Sequence, residues 1–126
     1  MKKPKVYTLE IPLTPPSINL YQHFHWARKR LVKQEWTEWV WALVNQQGRK
    51  LKGCKQVHVS ATIYFPRGAR RDPQNYAATL YKFLDDGLVQ AGVIPDDTAE
   101  YISHDEPVLT VDEHGPATLI RLEVLK

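Results

Sequence analysis

Residues 67–97, RGARRDPQNYAATLYKFLDDGLVQAGVIPDD, hold most of the side chains whose types and spacing could do chemistry. Arg67, Arg70 and Arg71 come just before Asp72. Asn75, Thr79, Lys82 and Asp86 follow at i, i+4, i+7 and i+11, the spacing of one helix face, and Asp96 and Asp97 stand side by side after Pro95. Carboxylates with an amide and a lysine, and no His/Cys cluster, are hard oxygen donors. They suit Mg²⁺, or Mn²⁺ in its place, completed by water and substrate phosphate oxygens. An ion held this way can polarise a phosphodiester and activate water. A lysine can neutralise charge on the phosphoryl oxygens, and arginines can hold the flanking backbone.

Taken singly, each feature has a plainer use. Asp72 before a proline is a helix N-cap, and Lys82 with Asp86 could be an exposed ion pair worth about 0.3–0.5 kcal/mol. Pro95-Asp96-Asp97 has ordinary turn composition, and Arg70-Arg71 could be a solvated loop. Only their order and spacing together single the window out.

The elements that must position these residues can be read from hydrophobic period. Residues 5–12 alternate apolar and polar and predict a half-buried strand, followed by a proline-containing ordered loop over 14–24. Residues 26–47 predict a helix with Val32, Trp36, Trp39, Val40 and Leu43 on its apolar stripe, ended by Gly48. Val57 to Phe65 alternates again as a strand closed by Pro66. Asp72 as N-cap, Pro73 as first helical residue and Gly92 as stop frame a second helix, with Ala77, Leu80, Leu84, Leu88 and Ala91 inward. Its polar row would lie opposite much of this stripe. Tyr101–Val111 and Ala117–Leu125 predict two last strands joined as a hairpin by EHGP. The order strand, helix, strand, helix, strand, strand implies an α+β, two-layer domain: a mixed sheet of about four strands with two main helices on one face.

Composition bounds the rest. The 126 residues, 43% apolar and 25% charged, fit one domain over 1–126 and exclude a disordered or low-complexity chain. A single cysteine, Cys54, excludes a disulfide framework or a Cys-rich zinc site. The longest apolar stretch, near Trp39 to Val44, is too short to span a bilayer, and MKKPKVYTLEIP lacks a signal-peptide apolar core, so no membrane association and an intracellular domain are expected. The net charge of +3 conceals a division: residues 1–71 carry 14 Lys/Arg and 3 Asp/Glu, whereas residues 72–126 carry 3 Lys/Arg and 11 Asp/Glu. A basic half suits a polyanion and an acidic half suits a cation.

The run R-R-D-P-x-N, a helical lysine, D-G-L-x-x-A-G and a closing D-D resembles the RusA family of Holliday junction resolvases. PPSIN at 15–19 and the Trp26 helix extend the likeness toward the front of the chain. The resemblance implies a RusA-like fold and a Mg²⁺-dependent homodimeric endonuclease that resolves four-way DNA junctions by paired nicking in recombination and repair. It also implies a bacterial cytoplasmic protein, of a family common in phages and prophages. Position by position, it makes Asp72 the first metal-binding aspartate, Asp97 the late essential one with Asp96 beside it, and Lys82 the catalytic lysine. Asp86 is the helical aspartate four residues on. Asn75 is the motif's asparagine, and with Arg67, Arg70 and Arg71 it is assigned to DNA contact.

Two departures stand out. Gln74 occupies the place of a second carboxylate, since D-P-Q-N replaces D-x-D-N. Gln can ligate through its carbonyl oxygen but brings no charge. Lys82 lies seven residues after Asn75, where the familiar form has three; the extra turn adds about 6 Å along a helix. A junction-binding protein with weakened or lost catalysis is therefore the alternative, and an acidic protein-interaction module the more distant rival.

Overall fold

The computed structural model describes residues 5–126, with the side chain of Arg49 left aside. The chain runs β1 (Lys5–Ile11), α1 (Ile18–Gln22), α2 (Trp26–Gln47), a short 3₁₀ turn at Gly48–Leu51, β2 (Val57–Phe65), α3 (Pro73–Gln90), β3 (Ile102–His104), β4 (Val108–Val111) and β5 (Ala117–Val124). It is α+β with a mixed sheet of five strands in the order β1-β5-β2-β3, with β4 also paired to β2. β5 is antiparallel to both β1 and β2, whereas β3 and β4 run parallel to β2.

The register explains which sheet face is buried. Leu9 pairs with Ile120, which pairs with Ala61, and Ile11, Thr118 and Ile63 form the next row. All six are buried, because side chains two apart share a face and α2 and α3 cover this one. The alternate rows, such as Thr8, Arg121 and Ser60, face the other side and keep solvent contact. Every second residue of β2 is buried, from Val57 to Phe65, as its alternation predicts. Asp72 caps α3, its Oδ1 accepting from the Gln74 amide at 3.0 Å, with Pro73 in the first turn and Gly92 at φ +81° just beyond the end.

Five expectations need correction. The reading of 101–111 as one strand gives way to two, β3 and β4, because Asp105–Pro107 break the pairing; the sheet therefore has five strands, not four. β4 and β5 form no hairpin: they flank β2 on opposite edges, so Asp112–Pro116 carries the chain across its end. Loop 14–24 contains α1, which Ser17 caps by accepting from the Leu20 amide at 3.2 Å. Thr79 does not share the solvent face with Asn75 and Lys82: it is buried, and its hydroxyl donates to the Pro16 carbonyl at 2.6 Å, tying the proline loop to α3. Trp39 is half in solvent, and the α2 stripe centres instead on Trp36, Val40 and Val44.

α2 and α3 cross where Gly87 meets Val40. A Cβ added at Gly87 would lie 2.8 Å from the Val40 Cβ, well inside contact distance. Gly87→Ala is expected to lower unfolding stability by about 1–3 kcal/mol through this overlap. Val40→Ala removes the Cγ1 and Cγ2 atoms that the new methyl would meet at 2.9 and 3.2 Å, so in a double-mutant cycle it should recover part of the loss. Chemical denaturation of the four proteins measures the coupling, and additive losses would contradict the contact.

Candidate functional site

The second half of α3, the loop after it and the facing turn of α2 bring acidic groups together. Asp86, Asp96 and Asp97 line one surface cleft with Lys33, Val89 and Gln90. Lys33 reaches across from α2 to pair with Asp86, Nζ to Oδ2 at 2.9 Å. Both side chains keep solvent contact, so this pair contributes no more than about 1 kcal/mol. Asp96 Oδ1 accepts from the amide of Asp97 at 2.8 Å, which bends the loop so that both carboxylates serve one concavity. Lys82 lies one turn before Asp86 on α3, its ammonium 5.6 Å from the centre of the Tyr21 ring.

Behind the cleft lies Asp85, which is buried and hydrogen-bonded to His104 of β3 at 2.9 Å. Burial raises its carboxyl above the usual carboxylate range. The His104 hydrogen bond and charge oppose that rise, and the like charges of Asp97 and Asp86 add to it. Tyr81, one turn earlier, stacks on His104 with ring centroids 4.2 Å apart and donates to the Asp105 carbonyl at 2.5 Å. Burial, then the charges of Asp105 and Asp85, push its hydroxyl upward. His58 of β2 completes this edge, with Nε2 3.0 Å from Asp105 Oδ1 and Nδ1 2.7 Å from Ser103 Oγ.

The other sequence-predicted residues lie at the opposite end of α3. Asp72, Gln74 and Asn75 form its first turn, beside Arg67, Arg70 and Arg71. Arg71 stacks on Phe65, its Cζ 3.9 Å from the ring centre, and donates to the Arg67 carbonyl at 3.0 Å; Arg67 and Arg70 project into solvent. From Asp72 to Asp86 is fourteen residues of helix, about 21 Å of rise. The structure thus brings Asp86, Asp96 and Asp97 together and keeps Asp72 apart. Among the described residues no three His, Cys, Asp or Glu side chains are gathered closely enough to hold a metal unaided.

Three participants escape the sequence pattern. Asp85 sits beside Asp86 but on the inward face, at i+4 from Tyr81, and both Asp85 and Tyr81 meet His104. His104 finds its partner only through the parallel pairing of β3 with β2, which no local period encodes. Lys33 reads as a solvated α2 residue until the crossing of the helices is known. No protein-family model matches the chain, and no curated protein matches it.

Removing His104 leaves the Asp85 carboxylate without its partner. His104→Ala is expected to cost about 1–3 kcal/mol of stability near neutrality. Because the folded carboxyl sits above its unfolded value, its contribution is most favourable below the unfolded pKa and declines as pH rises through the folded one. Losing His104 raises the folded value further, so the penalty should shrink in acid, where Asp85 carries its own proton. Unfolding free energies between about pH 4 and 7 test this, spanning the carboxylate and histidine range. A penalty independent of pH would contradict it.

Proposed function

We propose that this chain is a divalent-metal-dependent endodeoxyribonuclease acting on branched DNA, as its resemblance to RusA-type resolvases implies. The observation that carries the reading is the convergence of Asp86, Asp96 and Asp97 on one cleft, rimmed by Lys33 and one turn from Lys82. The donor set is all oxygen and fits Mg²⁺, which is commonly held by one or two carboxylates with water and substrate phosphate making up the rest. Mg²⁺ bound there would supply Lewis-acid polarisation of the phosphodiester and a more acidic water. The chain's own residues do the remainder. Lys82 and Lys33 offset charge on the phosphoryl oxygens. Asp85, hydrogen-bonded to His104, ties this end of α3 to β3. Arg67, Arg70 and Arg71 offer phosphate contacts at the far end of α3.

Asp72 enters this account from a second protomer. Within one chain it lies about 21 Å along α3 from Asp86, while the resemblance assigns it to the same metal as Asp97. A two-fold homodimer that sets the start of one α3 beside the end of its partner's meets both requirements. It also leaves room for Gln74, an uncharged oxygen donor, where the familiar motif has a carboxylate.

The primary test is cleavage of a synthetic four-way junction with and without Mg²⁺. Paired, metal-dependent nicking is expected; no cutting in Mg²⁺ or Mn²⁺ would overturn the nuclease reading and favour a binding protein. Asp97→Asn and Asp72→Asn (the latter keeping an N-cap side chain) should each reduce cutting by at least about a hundredfold, with junction binding retained. Mixed and re-equilibrated, the two inactive variants should regain single-strand nicking, because one site of the heterodimer then has both aspartates. A silent mixture would place Asp72 and Asp97 in the same protomer's site, and full activity of Asp72→Asn alone would remove Asp72 from it.

A further inference from the structure

From Pro12 to Gln34 the sequence has no carboxylate, and the first half of α2 carries Arg28, Lys29, Arg30 and Lys33. The same corner is rich in rings. The Arg28 guanidinium lies 4.0 Å from the centre of Phe24, and the Lys29 and Lys82 ammonium groups lie 5.5 and 5.6 Å from that of Tyr21. Those two rings are at least partly buried and already carry cations. Trp26 differs. It is the first residue of α2 and 68% exposed, and its ring neighbour is His25, tilted at 5.4 Å. Trp36, by contrast, is buried in the core, where an indole contributes most to stability. An indole fixed to a helix yet left in water, among cations and far from any acid in sequence, presents a flat apolar face inside a positive field.

That combination matches the chemistry of an unstacked nucleic-acid strand, whose bases offer π-faces and whose phosphates offer the opposite charge. Position agrees. Trp26 precedes Lys33 by seven residues, about 10 Å along α2, and Lys33 rims the carboxylate cleft. A strand with its phosphates on the basic turns and one base on Trp26 would lead into that cleft.

We propose that Trp26 is the stacking platform for an unpaired base at the DNA branch point, with Arg28, Lys29 and Arg30 holding the adjoining phosphates. The inference deepens the branched-DNA reading and rests on it for the partner, but it is read by binding alone. The test is fluorescence anisotropy of a labelled oligothymidylate and a labelled blunt duplex, without divalent metal and at fixed low salt. Trp26→Ala should weaken oligothymidylate binding about five- to a hundredfold, the range of one lost base stack. Trp26→Phe should keep most of the affinity, and duplex binding should change little. Trp41→Ala removes another exposed tryptophan, 55% accessible and four turns along α2, and should behave as wild type.

Equal oligothymidylate affinity of wild type and Trp26→Ala would overturn the proposal. So would an equal loss in Trp41→Ala, or no binding by wild type. A change in self-association without a change in DNA affinity would assign the patch to protein contact instead. Trp26-dependent binding by a protein that cuts no junction would sink the nuclease and leave the platform standing. Junction cutting with Trp26-independent binding would do the reverse.

Discussion

The close approach of α3 to α2 at Gly87 and Val40 governs most of what is distinctive in this molecule. With a hydrogen in place of a side chain at Gly87, the two helices settle against each other at a contact that a methyl group would fill. Asp86 is the next residue back along α3, and Lys33 lies two turns back along α2. Their ion pair follows from the crossing and does not cause it, since a pair this exposed is worth too little to set helix position. Burial of Trp36, Val40, Phe83, Leu84 and Leu88 along the seam does that, at roughly 1.5–3 kcal/mol for each large side chain.

That seam is also where the divided charge of the chain becomes spatial. The basic half includes α2 and the acidic half includes α3 with the loop after it, so packing one helix on the other sets a lysine-rich surface beside a carboxylate-rich one. Among the described residues, one exposed Lys–Asp ion pair, Lys33 with Asp86, joins the two at the rim. A polyanion lying on the basic side and a cation held on the acidic side would meet there. Asp85 is the interior counterpart: it is buried behind the surface carboxylates, where burial works against its charged form and the His104 hydrogen bond works for it.

Local signals carried the long elements well. β1, α2, β2 and α3 fall within a residue or so of their periodic runs, because caps such as Asp72-Pro73 and stops such as Gly48 and Gly92 act on their own neighbourhood. The parts that failed depend on partners distant in sequence. Asp105–Pro107 divides an apparent strand because β3 and β4 must both follow β2 with a bend between them. β5 inserts between β1 and β2, a pairing that no turn motif announces. The site followed the same rule. The residue types were visible, but the roughly 21 Å of helix between Asp72 and Asp86 separates a motif that looks continuous in the sequence, and the Asp85–His104 pair appears only once β3 is docked on β2.

The proposed metal site lies at the end of each chain's α3, with Asp72 reaching it only from the partner protomer. Paramagnetic broadening by substoichiometric Mn²⁺ in amide-resolved NMR spectra addresses it without any nuclease assay. Broadening is predicted at Asp86, Asp96 and Asp97, reaching the start of α3 only through the partner protomer, displaced by excess Mg²⁺ and lost in Asp97→Asn. Broadening confined to the Arg67–Asn75 end of α3 and untouched by Asp97→Asn, or none at all, would contradict this placement.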